Sequence, residues 1–547
     1  MEYLKLLSDV RLLLLFSVSA LISLLSATTI ATRIAAVNTR KVALAFSIFS
    51  IFFLITRFAN LFYLPYLGIY VDKAEQTGNT DILLMQIRII VFGAAIGAIL
   101  GWILLPTFVE IYRRGIEALD KYKSMVKVLL ILVFNPKSWI KIIKCFRTPS
   151  FMGAKLFNFE GVSPGFLYFN VFATGIWTVG ALCAIFASAI HPEMKRTAVL
   201  LSGLVNAVAA IFFSLIIDPK ASLITDLIVK GERPEKQIHS ISLHLMLGNV
   251  VGCLLAQFFI VPGAIAIDTV AMSMGSYAIA GNFVLLAVFN AIVMLKASTT
   301  YSSRISAVIT KNVATAIAIY NFFFLLTRIA QQIFAPMIGT MVDNAVKTSN
   351  LQSLELQFRW LIGGSTIGAL LGFLLLPTFV EVYNKAINGM QKFGSLTNLI
   401  WKSIITPSIW AKAIMCLKPP SFMNVKLKDI NKIPKNFIYA NIIVIAFHTI
   451  GVISATFASA SYPDARGVTL LSSVINGVAT ILLSILVDPA TALVTEETIS
   501  ERRPFEHIKI TAVFLSLGTV IGTILSQFIF VPCTEFIKFC SSILGSI

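Results

Sequence analysis

Charge is scarce in this sequence. Asp, Glu, Lys and Arg make up 13% of its 547 residues, against roughly a quarter in an ordinary soluble domain. Hydrophobic residues reach 57%, so a water-soluble fold would have too few polar side chains to cover its surface. Histidine and cysteine are scarce too, at five and six residues. They form no CxxC pair and no metal-ligand spacing, which argues against zinc modules and dithiol redox sites. HExxH, GxSxG, Walker A and aspartate-rich metal motifs are all missing, so nothing points to hydrolase, metalloprotease or ATP-driven pump chemistry. The sequence is read as that of a non-enzyme without metal or cofactor.

What the sequence has instead is long apolar runs, such as Val91 to Leu105 and Leu470 to Val487. Windows of about 20 apolar residues match a hydrocarbon core of about 30 Å. The formal charge of +18 sits mostly in two hydrophilic loops, Glu110 to Gly165 and Glu381 to Lys435. The first holds ten Lys/Arg against four acids and the second nine against two. Basic loops beside membrane helices favour the cytoplasmic face and anionic lipid headgroups over nucleic acid. Met1 to Leu25 carries Glu2 and Asp9 and no prompt small-residue cleavage site, so it reads as a first helix, not a cleaved signal.

The chain repeats itself. Arg33-Ile-Ala-Ala-Val returns as Arg304-Ile-Ser-Ala-Val, Leu105-Pro-Thr-Phe-Val-Glu110 as Leu376-Pro-Thr-Phe-Val-Glu381, and Pro149-Ser-Phe-Met152 as Pro420-Ser-Phe-Met423, all at an offset of 271. Gly93, Gly97 and Gly101 fall on Gly364, Gly368 and Gly372. After one deletion the offset becomes 270 and places Asn206 on Asn476, Asp218-Pro219 on Asp488-Pro489, and Gln257 on Gln527. One register held over about 230 residues marks a tandem duplication.

The expected fold is therefore an all-α polytopic membrane protein, with two six-helix units at residues 1–272 and 278–547. Helices are expected near 10–32, 43–70, 83–109, 166–190, 197–217 and 240–267, with second-copy counterparts near 279–303, 314–341, 354–380, 437–461, 467–487 and 510–534. That is about twelve spans. An even number per unit gives parallel repeats about an axis along the membrane normal. The turn around Arg33, Arg40 and Lys41 and the basic loops are expected on the cytoplasmic side. Amphipathic helices within Ser124 to Ile143 and Leu399 to Met415, with Trp139 and Trp410 aligned, are expected along the inner leaflet.

Polar residues that recur in both copies are the candidate site. Arg57 and Arg328 lie deep in the second helices, where an arginine costs roughly 3 kcal/mol on insertion scales. Arg88 and Arg359 lie nearer the outside of the third helices. Asp218 and Asp488 are expected at the cytoplasmic ends of the fifth helices, too far away to neutralise them. A two-fold axis would set the four arginines around one cationic cavity suited to an anionic substrate, because guanidinium forks match phosphate oxygens. Asn60/Gln331, Gln86/Gln357, Asn170/Asn441, Asn206/Asn476 and Gln257/Gln527 accompany them, and such residues commonly bond helix to helix. The glycine ridge reads as a close helix contact, and Pro106 and Pro377 as breaks. His244 and His448 have no histidine in the other copy and read as structural.

From Thr28 to Ser50, which includes Arg33-Ile-Ala-Ala-Val and the Thr39-Arg40-Lys41 turn, and again at Ile55-Thr-Arg-Phe-Ala-Asn60, the chain resembles the Amj family of lipid II flippases, an alternate to the MurJ type. Those proteins are about as long as one copy here. The second copy keeps Arg304 and Arg328 but has Asn312 for Lys41 and Gln331 for Asn60. The resemblance implies a multi-pass protein of the bacterial cytoplasmic membrane. It implies lipid II, or another undecaprenyl-linked saccharide, as substrate, with a pyrophosphate for Arg57, Arg328, Arg88, Arg359, Arg33 and Arg304 to hold. The doubled length suggests a fused pseudo-dimer that works as a monomer. Alternatives are a transporter of a small anionic solute, which calls for midplane acids, an envelope scaffold, which would tolerate loss of Arg57 and Arg328, and a membrane transferase with paired loop acids.

Overall fold

The computed structural model describes residues 9–149, 164–190, 195–276, 283–406, 415–421, 423–461, 468 and 471–545. The side chains of Arg57, Arg328 and Gln331, and the stretch holding Trp410, lie outside the described residues.

The first copy begins with α1 (Val10–Thr39), α2 (Val42–Thr77) and α3 (Thr80–Ile103). Asp9 caps α1 by accepting from Arg11 N–H, and Asn79 caps α3 by accepting from Ile82 N–H. These are the two short polar residues that precede the apolar runs, as capping chemistry requires. Arg40 takes a left-handed conformation (φ 54°) in the tight turn between α1 and α2. The chain breaks at Leu104, ahead of Pro106, and continues as amphipathic α4 (Leu105–Tyr122), then α5 (Met125–Phe134) and α6 (Pro136–Ile143). Next come α7 (Pro164–Ile190), α8 (Lys195–Leu200), α9 (Ser202–Phe212), α10 (Asp218–Val229), α11 (Lys236–Leu255) and α12 (Ile260–Ser276).

The second copy follows the same order: α13 (Phe283–Thr310), α14 (Val313–Lys347), α15 (Leu351–Leu374), α16 (Leu376–Phe393), α17 (Leu396–Ile405), α18 (Asn436–Ser459), α19 (Ser472–Leu482), α20 (Asp488–Ile499) and α21 (Glu506–Gly545). The break ahead of Pro377 bends α15 against α16 by 65°. The protein is an all-α polytopic membrane protein. Among the described residues nine helices are long and apolar enough to cross a membrane, or ten if the bent pair is one span. The other two of the twelve expected places are held by α13 and α14.

Two boundaries differ from expectation in ways that matter for the site. α1 runs on to Thr39, so Arg33 is not in a turn but inside the helix, 4% exposed. The fifth helix does not stop at Asp218-Pro219. A π-helical turn at Phe213–Ile217 precedes the proline, and the helix continues to Val229. Proline has no N–H, and its ring crowds the carbonyl four residues back. A π turn absorbs that conflict by shifting the hydrogen-bond register. The carbonyl in question, Leu215 O, accepts instead from Thr397 Oγ1 of the second copy at 3.0 Å. The second copy repeats the device at Leu483–Val487.

The glycine ridge does what its spacing suggests. A Cβ on Gly93 would stand 2.5 Å from Phe16 O, and one on Gly97 would fall on Ala20 O. Gly364 and Gly368 meet Ala287 O and Ala291 O in the same manner. Thus α3 lies backbone-to-backbone on α1, and α15 on α13.

Between copies the contacts are reciprocal. α2 packs against α19 and α20, and α14 packs against α8, α9 and α10. Neither α2 nor α14 has a side-chain cap of its own. Each is capped by the other copy: Asp226 accepts from Ala314 N–H (3.0 Å) and Thr315 N–H (2.7 Å), and Glu496 accepts from Ala43 N–H (3.3 Å). Around these caps one seam is ionic. Asp120 pairs with Lys41 (2.6 Å), Lys123 (2.7 Å) and Arg502 (3.4 Å), and Glu497 pairs with Lys123 (2.9 Å) and Arg503 (2.8 Å). Its counterpart carries fewer charges: Asn312 Oδ1 accepts from Lys230 (2.7 Å) and Gln391 (2.9 Å).

Candidate functional site

Hydroxyls on α1 recur at Ser19, Ser23, Ser26 and Thr29 and end at Arg33, a spacing that keeps them on one helix face. They border a cavity of about 820 Å³. From Ser19 to Arg33 it extends roughly 21 Å at 1.5 Å per residue. Thr56, Asn60 and Tyr63 of α2 face it, as do Asn170, Thr174 and Thr178 of α7 and Asn249 of α11. The second copy closes it with Asn321 of α14 and with Asn476 and Thr480 of α19. Neutral donors and acceptors are thus set among apolar side chains such as Ile30, Phe53 and Leu245, in a wall built from both copies.

Arg33 sits at the end of this cavity. Its Nη2 lies 3.2 Å from Asp218 Oδ1, its Nη1 donates to Ser222 Oγ at 2.9 Å, and its guanidinium stands 5.8 Å from the Phe46 ring centroid. Both side chains border the cavity, and the carboxylate is the more exposed of the two, at 31% against 5% for Arg33. The expectation that Asp218 ends the fifth helix is thus corrected. Because α10 continues past the proline, the acid is brought into the bundle beside Arg33.

The second copy differs. Asp488 Oδ2 accepts from Ser50 Oγ of the first copy at 3.3 Å, whereas Arg304 Nη1 has no hydrogen-bond partner. Among the described residues Arg304 makes no ion pair with Asp488 within 4 Å.

Of the other expected site residues, Asn60 lines the cavity and donates to Thr56 O at 3.0 Å. Gln86 is buried in α3, and Gln357 donates to Ser353 Oγ at 3.3 Å. Arg88 and Arg359 do not line the cavity. Arg88 O accepts from Gln257 Nε2 and Arg359 O from Gln527 Nε2, both at 2.8 Å. Arg359 also pairs with Glu355 at 2.9 Å and donates to Gln527 O at 3.2 Å. These residues tie the third helix of each copy to the sixth. Asn206 Oδ1 and Asn476 Oδ1 stand without partners, pressed over Gly180 and Gly451. Both residues border the cavity.

Asp226 and Glu496 were not among the expected residues. A signal was present: they align at the 270 offset and both are acidic. Their role needs the partner helix terminus, which the sequence does not place.

The basic loops fold back on the membrane end of the bundle. Arg147 N–H donates to Thr107 Oγ1 and Lys418 N–H to Thr378 Oγ1, both at 3.0 Å. Glu110 accepts from Arg113 (2.8 and 2.9 Å) and Arg114 (2.7 Å). The hydrogen bonds from Arg113, outweighing partial burial, hold its carboxyl down at about 2.

Comparison with known proteins agrees with this architecture. No solved structure matches the chain. The lipid II flippase Amj of Bacillus subtilis (strain 168) is 31% identical over 238 residues, which is 43% of this chain and 88% of that protein. The family model described as Amj, alternate to MurJ, matches twice, at residues 18–271 and 289–541. With the family unit present twice and the two copies packed reciprocally, the chain belongs to the Amj family as a tandem duplication of it.

Proposed function

We propose that this protein is a flippase that carries lipid II from the inner to the outer leaflet of a bacterial cytoplasmic membrane, and that the seam cavity receives its head group. The observation that carries this reading is the cavity wall. About 820 Å³ is the size of a small-molecule site. Hydroxyls and carboxamides offer a saccharide–peptide head hydrogen bonds that hydrocarbon cannot, while the polyprenyl tail stays in lipid. A polar head left in hydrocarbon without partners costs several kcal/mol per group. Relatedness to a protein named lipid II flippase supports the same substrate.

Arg33 is the first cation offered to the pyrophosphate, with Asp218 as the anion it must leave. Arg57 follows Phe53 by four residues and Arg328 follows Phe324 by four, and both phenylalanines border the cavity. One helical turn brings such positions onto one face, so we assign these two arginines to the same anion. Arg304 stands at the equivalent position of the second copy, without the ion pair that Arg33 makes. The fused chain then works as a monomeric pseudo-dimer of its units, 1–272 and 278–547.

The test uses a bacterium whose own lipid II flippases can be depleted, expressing this chain or its Arg57→Ala/Arg328→Ala variant. Lipid II exposed on the outer leaflet is expected to be restored by the wild type and not by the folded variant. If the inserted wild type restores nothing, lipid II is the wrong cargo, and another polyprenyl-linked saccharide takes its place.

A further inference from the structure

We infer that the two copies have divided their labour: the first copy holds the working cavity, and the second copy's version of it is plugged by Tyr301. This rests on the seam cavity being the transport site, but its central claim concerns only which copy is open to water.

The two copies share a scaffold here. Asn170 Nδ2 donates to Leu245 O at 2.9 Å, and Asn441 Nδ2 donates to Leu515 O at the same distance. What differs is the residue at the equivalent position of the first helix. In the first copy it is Ile30, which borders the cavity. In the second it is Tyr301, 7% exposed. The Tyr301 hydroxyl donates to Asn441 Oδ1 at 3.0 Å and lies 3.4 Å from Thr519 Oγ1. Asn441 and Thr519 are the counterparts of Asn170 and Asn249, both cavity-lining. The phenol thus bridges the first, fourth and sixth helices across the place where the first copy is hollow. Two neighbouring changes act in the same direction: Met294 stands for Ser23 and Ile445 for Thr174, and Met294 is 7% exposed. A long thioether and a branched aliphatic chain fill volume and remove hydroxyls, and so exclude water.

The sequence supplies its own control, because the second copy already folds with the plugging trio. The variant Ser23→Met/Ile30→Tyr/Thr174→Ile closes the first copy with residues the scaffold accepts. Its reciprocal, Met294→Ser/Tyr301→Ile/Ile445→Thr, opens the second. In the depleted bacterium the first variant is expected to lower outer-leaflet lipid II at least about tenfold, and the second to leave it within about twofold of wild type.

A second readout needs no substrate. In a cysteine-free background, Ser23→Cys and Met294→Cys are labelled in intact membranes with a small water-soluble methanethiosulfonate. Ser23→Cys should react at least about tenfold faster, and adding Tyr301→Ile should bring Met294→Cys up to a comparable rate. Equal labelling of the two cysteines without the Tyr301 change overturns the plug. Equal loss of transport from both triple variants overturns the division of labour. If wild type restores no lipid II exposure while the labelling contrast stands, the cargo assignment falls and the asymmetry remains.

Discussion

Arg33 and Asp218 show how the surroundings of a charged side chain decide its behaviour. An arginine only 5% exposed with a carboxylate 3.2 Å away is compensated, but neither charge recovers the hydration it lost. Removing one partner strands the other. Asp218→Asn is therefore expected to lower stability by roughly 3 kcal/mol, and Arg33→Gln by a similar amount. The double variant should cost less than the sum of the two, which thermal unfolding in detergent measures as a coupling energy. A purely additive result would mean that the two groups do not interact. The same pair explains why an arginine kept in both copies need not be a permanently free cation. Its counterion arrives from a helix that continues through a proline.

At the scale of elements, close approach and loop anchoring are the testable features. Adjacent glycines on α15 behave oppositely: a Cβ on Gly364 would sit 2.5 Å from Ala287 O, while one on Gly363 meets nothing within 4 Å. Gly364→Ala should destabilise by roughly 1–3 kcal/mol through overpacking, and Gly363→Ala should be neutral or slightly stabilising through helix propensity. Accumulation in the membrane and unfolding temperature separate the two. On α4, the Glu110 carboxyl is held at about 2, below its unfolded value of about 4.3. Its contribution is therefore fully present above the unfolded value and lost as pH falls from there through the folded one. Glu110→Gln should cost roughly 1 kcal/mol at pH 7, and the difference from wild type should shrink as the unfolding scans move toward pH 3. A constant difference would point to a cause other than ionisation.

In the whole molecule, the two copies are joined by carboxylates that cap each other's second helices. Capping groups contribute about 0.5–2 kcal/mol, so Asp226→Ala and Glu496→Ala should each destabilise within that range. Asp226→Ala should cost more, because Asp226 receives two N–H groups at 2.7 and 3.0 Å where Glu496 receives one at 3.3 Å. The caps serve opposite seams and share no partners, so their effects should add. A large coupling would show that the seams open together. High salt should weaken the ionic seam around Asp120 more than its less charged counterpart at Asn312, since exposed ion pairs are screened and neutral hydrogen bonds are not.

Class, repeat and family were legible in the sequence because each is a one-dimensional property. Apolar runs of membrane length, a constant offset of 271 then 270, and the Arg33 and Thr39-Arg40-Lys41 segments need no partner to be recognised. Local geometry followed where a single residue dictates it, as at the Gly93/Gly97 ridge and the break before Pro106. The site was only half visible. Asn60, Asn170 and Asn206 stood out as polar residues in apolar runs, but which of them share a cavity depends on helix rotation, which hydropathy does not fix. Arg88 and Arg359 read as members of one cationic cavity with Arg57 and Arg328, yet tertiary packing sets them between the third and sixth helices. Asp218 read as a helix end because proline normally stops a helix, and the π turn that lets it continue depends on neighbours. The caps between copies, with Asp226 on Ala314 and Thr315, and the Tyr301 bridge to Asn441 within the second copy exist only where two distant segments meet. The sequence by itself determined what the chain is made of and that it was doubled. Only the tertiary structure decided which polar groups find each other, because a hydrogen bond or an ion pair is a property of two positions in space.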